Sequence, residues 1–188
     1  MNETDMCHVM IDMETLGEIS NSVPMSIGVV QFSLDGQSEA IYHKGINIQS
    51  CLDAGLKVTG GTIEWWMGQK DANIKVLLNM LKYECVSLKQ ALVEISGLIE
   101  PNHKDMYVWG HGATFDPVLL ENAYRAVGMK AWWKFTNVRD TRTLFDLANY
   151  KYVAKGGHDA LDDAMNQVKG VQEAYQKLKG GTNALTQA

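Results

Sequence analysis

Cys7-His8-Val9-Met10-Ile11-Asp12-Met13 is an almost unbroken apolar run with β-branched residues, and Met25 to Phe32 is a second. Both are too short for a typical helix and read as buried strands. Asp35-Gly36 supplies a turn before a third strand candidate, Ala40 to Ile48. Three strands in quick succession predict an antiparallel meander. From Thr62 onward the apolar period changes, with Ile74, Leu77, Leu78 and Leu81, then Leu88, Leu92, Ile95 and Ile99, recurring at helical spacing.

Met106 to Trp109 is then a short strand, Pro117 to Val127 a helix, Thr141 to Asn149 another, and Ala160 to Leu178 a long amphipathic helix. Gly180-Gly181 is expected to close that helix, leaving a frayed polar tail. A meander followed by strand-helix alternation predicts an α/β fold: a ribonuclease H-like mixed sheet, antiparallel first and parallel afterwards, flanked by helices. One domain over residues 1–179, with a flexible tail at 180–188, fits a chain with no internal repeat and no linker.

A chain of 188 residues with 46% hydrophobic and 21% charged residues can bury its own core. No run approaches the roughly 18 apolar residues of a membrane span. The start, Met1-Asn2-Glu3-Thr4-Asp5, is acidic where a secretory signal is basic, so a cytoplasmic protein is expected. Cys7, Cys51 and Cys85 form no C-x-x-C pair and read as three buried, reduced thiols. The net charge of −5 disfavours a polyanion partner, but its distribution is uneven. Residues 1–55 carry eight acids and one base, whereas 130–157 carry six bases and two acids. An acidic half facing a basic segment suits a metal-loaded phosphodiester site, and it is equally what chance clustering on a solvated face produces.

Asp12 and Glu14 lie two residues apart on the first strand, so both carboxylates project from one face. Hard divalent cations choose such oxygen ligands, although a D-x-E at an exposed strand end needs no metal. Asp116, before Pro117, is either an N-cap or a ligand. His158 and Asp163 point apart on an ideal helix. They converge if His158 sits just before the helix, on the Gly156-Gly157 hinge, with Asp163 inside it; Asp163 could also be only a cap at the positive helix end.

Taken in order, Ile11-Asp12-Met13-Glu14-Thr15, Phe115-Asp116 and His158-x-Ala160-x-x-Asp163 strongly resemble the DEDDh family of 3′→5′ exonucleases. Thr62-Ile63-Glu64-Trp65-Trp66, the segment Trp109 to Asp116, and Arg139 to Leu144 are most similar to its ribonuclease T-like branch in phages and bacteria. His111 departs from that branch, where asparagine or another polar residue is usual.

The resemblance implies that Asp12, Glu14, Asp116 and Asp163 hold two Mg²⁺ or Mn²⁺ ions, with Asp12 bridging, and that His158 is the general base. It implies a single-stranded 3′ end or 3′ overhang as substrate, 5′-mononucleotides as products, a bacterial or phage-infected cytoplasm, and a homodimer by analogy with ribonuclease T. Thr15 and Leu16 would hold the 3′ nucleotide, by backbone contact and as an apolar wedge. Trp65 and Trp66 could stack bases, although one of the two is expected in the core. Phe115 and His111 belong to the same loop, and Arg139, Arg142, Lys151 and Lys155 could contact phosphate. Asp140 reads as structural, Trp132-Trp133 as core or a subunit contact, and His8, His43 and His103 as exposed or structural. Two rivals share these motifs: a silent nucleic-acid-binding module, and a phosphodiesterase for small nucleotides.

Overall fold

The computed structural model describes residues 5–69, 72–99, 106–154 and 157–185. Its strands are β1 (His8–Thr15), β2 (Pro24–Phe32), β3 (Ser38–Gly45), β4 (Tyr107–Gly110) and β5 (Val138–Asp140). They form one sheet in the order β3-β2-β1-β4-β5. β1 pairs antiparallel with β2 and parallel with β4; β2 and β3 are antiparallel, and β4 and β5 parallel. The expected meander followed by parallel strands is therefore present. Among the described residues no helix is long and apolar enough to cross a membrane.

The helices are α1 (Ile48–Asp53), α2 (Gly60–Gly68), α3 (Ala72–Tyr83), α4 (Leu88–Ile99), α5 (Asp116–Ala126), α6 (Thr141–Leu147) and α7 (Ala160–Leu185). Alternation along β1 divides the core in two. Val9, Ile11 and Met13 join Leu92 and Ile95 of α4 and Leu119, Leu120 and Tyr124 of α5. Met10 faces the other way, with Val30 and Phe32 of β2, Phe145 of α6 and the Ala164-Val168-Val171 stripe of α7. Asp12 and Glu14 share the parity of Met10, so the strand delivers both to the α7 face.

Gly28 sets how closely α7 can approach. It pairs with Asp12 across β1 and β2, and a Cβ there would lie 2.3 Å from the Ala160 carbonyl oxygen. Because that neighbour is backbone, Gly28→Ala is expected to push the start of α7 outward at a cost of about 1–3 kcal/mol. His158 and Asp163 would move with it. Activity should fall although no polar group is lost, and a variant melting and turning over like wild type would show that this approach is not needed.

Some expectations are corrected and others hold. α7 does not stop at Gly180-Gly181 but continues to Leu185; each glycine costs a helix about 1 kcal/mol, which weakens it without ending it. α1 and β5 have six and three residues, too few to show a period. Cys7 and Cys51 are buried, but Cys85, near the end of α3, is only partly covered. His8 is structural: it is fully buried, and its Nδ1 accepts from Trp109 Nε1 at 2.9 Å. Asp140 caps α6, accepting from Arg142 N and Thr143 N. Trp133 is buried edge-on to Tyr124, with Trp132 against it. His103 lies outside the described residues.

Candidate active site

Three elements bring the acids together. β1 supplies Asp12 and Glu14 just before the register shift between Glu14 and Thr15. α5 supplies Asp116, which is the first helical residue rather than its cap; Phe115 holds the cap position and no side chain caps the helix. Gly110 permits this tight turn, since a Cβ there would lie 2.6 Å from Pro117 Cδ and 3.3 Å from Asp116 Cβ. The Asp116 side chain, 4% exposed, is turned inward, where a capping carboxylate would not be.

α7 supplies Asp163. Its first turn is capped by Asp159, whose Oδ1 accepts from the amides of Leu161 and Asp162 at 3.0 and 3.1 Å, so Asp163 is not the cap. Asp12, Glu14 and Asp163 each offer an oxygen within 4.8 Å of the others. Asp116 stands outside that trio but raises the affinity of both Asp12 and Glu14 for protons.

His158 lies before α7, as its convergence with Asp163 requires, with a left-handed φ of 51° next to Gly157 at φ 131°. Its ring meets both tryptophans edge-on, with centroids 5.0 Å from Trp65 and 5.5 Å from Trp66. Contrary to expectation neither tryptophan is in the core: Trp65 is 46% exposed and Trp66 half-buried, because α2 lies on the surface and buries no residue. Trp66 is fixed instead by donating from Nε1 to the Thr15 carbonyl at 2.8 Å.

Asp12, Asp116, Asp163, His158, His111 and Tyr152 line a cavity of about 280 Å³. Met13 and Phe115 also belong to a neighbouring groove of about 650 Å³, bounded by Glu14, Thr15, Ile19, Thr62, Trp65 and Trp66. The Leu16 side chain is half-buried against the core instead of lining the groove. His111 pairs with Thr141 Oγ1 at 2.7 Å, and burial, helped by Arg142, lowers its proton affinity.

The expected basic face is largely not assembled. Arg139 donates to the carbonyls of Thr136 and Val138 and covers the Tyr107 ring, at the end of the parallel strands away from the carboxylates. Lys151 borders a separate groove with Tyr150 and Glu173, and Lys155 lies outside the described residues. Of the three that are described, Arg142 alone is brought near, close to Gly112 and lowering the Asp116 carboxyl.

All four acids bind protons more tightly than free carboxyls. Burial is the largest cause each time. It pushes Glu14 up to about 8, with Asp163 and Asp116 adding repulsion. Asp12 is raised well above the carboxylate range by burial and then by Asp116 and Glu14, against a hydrogen bond from Gln167. Asp116 is raised by burial against backbone hydrogen bonding, and Asp163 by burial against the pull of His158. Four ionised carboxylates need more positive charge than the described side chains nearby supply, and an all-oxygen donor set fits a hard divalent cation.

Sequence reading did not single out Gln167 or Tyr152. Gln167 follows Asp163 by one helical turn on the same face, a signal available in the spacing. Tyr152, held by Asn166 at 2.9 Å, had no such signal.

No curated protein matches the chain in sequence. The catalytic unit of Neurospora crassa Pan2, comprising its protease and nuclease domains, is similar in fold, with TM-score 0.53 and 16% identity over 94% of this chain. The chain spans only 28% of that Pan2 chain. Residues 7–175 match the family described as the Rv2179c-like 3′–5′ exoribonuclease domain. With its acids in DEDDh order on this ribonuclease H-like sheet, the chain belongs to that family.

Proposed function

We propose that the protein removes 5′-mononucleotides one at a time from the 3′ end of single-stranded RNA. Asp12, Glu14, Asp116 and Asp163 hold two Mg²⁺ or Mn²⁺ ions, and His158 is the general base. The observation that carries this reading is the meeting of three of those carboxylates and His158 in one cavity, beside a groove of nucleotide size that Glu14 borders. The family description favours RNA. Divalent ions held there supply Lewis-acid charge to the phosphate and its leaving oxygen.

The chain's own groups do the rest. His158 takes the proton of the attacking water. Asp163 is close enough for the two to feel each other's charge. The exposed face of Trp65 offers a stacking platform for the terminal base, worth roughly 1–3 kcal/mol and indifferent to sequence. Thr15 stands beside Glu14 on the groove wall, where the terminal sugar would sit. Arg142 is the cation best placed for an upstream phosphate. A paired terminus resists this pocket, because unpairing and unstacking cost a few kcal/mol.

His158→Ala is expected to lower turnover about 10²- to 10⁴-fold with Mn²⁺ affinity unchanged by calorimetry; lost affinity would place His158 among the ligands. Digestion of matched RNA and DNA strands tests the substrate. Free single-stranded 3′ RNA ends and overhangs should shorten quickly, blunt duplexes slowly, and 3′-phosphate-capped strands hardly at all. Efficient cleavage of circular RNA would mean an endonuclease and end this reading.

A further inference from the structure

We infer that Gln167 is a positioning residue for Asp12, locking the rotation of that carboxylate so that its free oxygen stays aimed at the cation site. The inference rests on the reading of Asp12 as a metal ligand. Gln167 Nε2 donates to Asp12 Oδ1 at 2.7 Å across the packed interface of α7 and β1. The side chain is 4% exposed and lines the same cavity as Asp12, Asp116 and Asp163.

The terminal torsion of an aspartate is broad, so a carboxylate with no partner swings. Asp12 sits within a rigid central strand, and that torsion is its main remaining freedom. A hydrogen bond from an amide fixed on α7 removes it. The amide must turn Nε2 toward Asp12, since its oxygen would repel the carboxylate. Its Oε1 is then left buried with no partner among the described residues. A glutamine kept for a structural hydrogen-bond network would satisfy both ends, and one kept for packing alone would need neither. Among the described residues Asp12 is the one group that uses this amide, and groups that orient metal ligands in this way commonly change metal affinity or activity about 10- to 100-fold.

The test measures Mn²⁺ binding to the full chain by electron paramagnetic resonance, together with thermal melting in chelator and steady-state kinetics across Mn²⁺ concentration. Gln167→Met keeps the volume and removes the donor; Gln167→Leu serves if the first variant does not fold. The expected result is Mn²⁺ affinity about 10- to 100-fold weaker, melting no lower than wild type, an unchanged KM for the oligonucleotide at saturating Mn²⁺, and recovery of most of kcat there. Wild-type affinity in the variant would overturn the inference. So would a loss of melting temperature and of kcat that saturating Mn²⁺ does not restore, which is the mark of a packing role. If Asp12→Asn binds Mn²⁺ as wild type does, the metal-site reading itself fails and this inference falls with it.

Discussion

Asp12→Asn is expected to lower turnover by at least about 10³-fold, several kcal/mol of transition-state stabilisation, and to melt higher than wild type when both are free of divalent ions. The two effects share one cause. Asp12 is pressed among Asp116 and Glu14 in a buried site, where its charge is costly without a cation and useful with one. The neutral amide removes the repulsion and the ligand together, trading function for stability as strained active sites do. Kinetics and calorimetry on the same sample separate the outcomes. A variant that is inactive and less stable would have lost its fold rather than its site, and a variant with near wild-type turnover would remove Asp12 from the chemistry.

The second large effect is on stability as a function of pH. The folded carboxyl of Glu14 titrates at about 8, against a free value of 4.5. Between those values the folded state binds more protons than the unfolded one, so this group's contribution to stability is lost as pH rises. Asp12 and Asp116 act in the same direction. His8 acts oppositely: burial lowers it to about 4 from 6.5, so its contribution is lost as pH falls through that range. Above pH 6.5 the His8 contribution no longer changes with pH, and the carboxylates decide the sign. In chelator, the melting temperature should therefore fall from pH 6.5 to 8, and stabilisation by Mg²⁺ or Mn²⁺ should grow over the same interval. A chelated protein whose melting temperature rises across that window would show that the acids are not held in mutual repulsion.

Much of this was legible in the chain because the strong signals are local. Apolar runs and the Asp35-Gly36 turn mark β1 to β3, and the spacing Asp12-x-Glu14 puts both acids on one face without any tertiary contact. His158 and Asp163 are readable as a pair only because a glycine hinge precedes His158, since an ideal helix would part them. What the sequence left hidden depends on packing. Nothing local shows that Arg139 will spend its guanidinium on two carbonyls and the Tyr107 ring, far from the acids. Nor does Trp65-Trp66 announce that a surface helix will carry both rings to His158. Nothing local to Gly28 announces the Ala160 carbonyl packed against it.

Hydrolysis of a single-stranded RNA in ¹⁸O-labelled water with Mn²⁺, read by mass spectrometry of the released products, tests most directly whether this site drives a water onto phosphorus at a 3′ end. The account predicts 5′-mononucleotides with one ¹⁸O on the phosphate, an unlabelled 3′ hydroxyl on the shortened strand, and no product in chelator. Products ending in 3′-phosphate or cyclic phosphate, or release that continues without divalent ions, would contradict it.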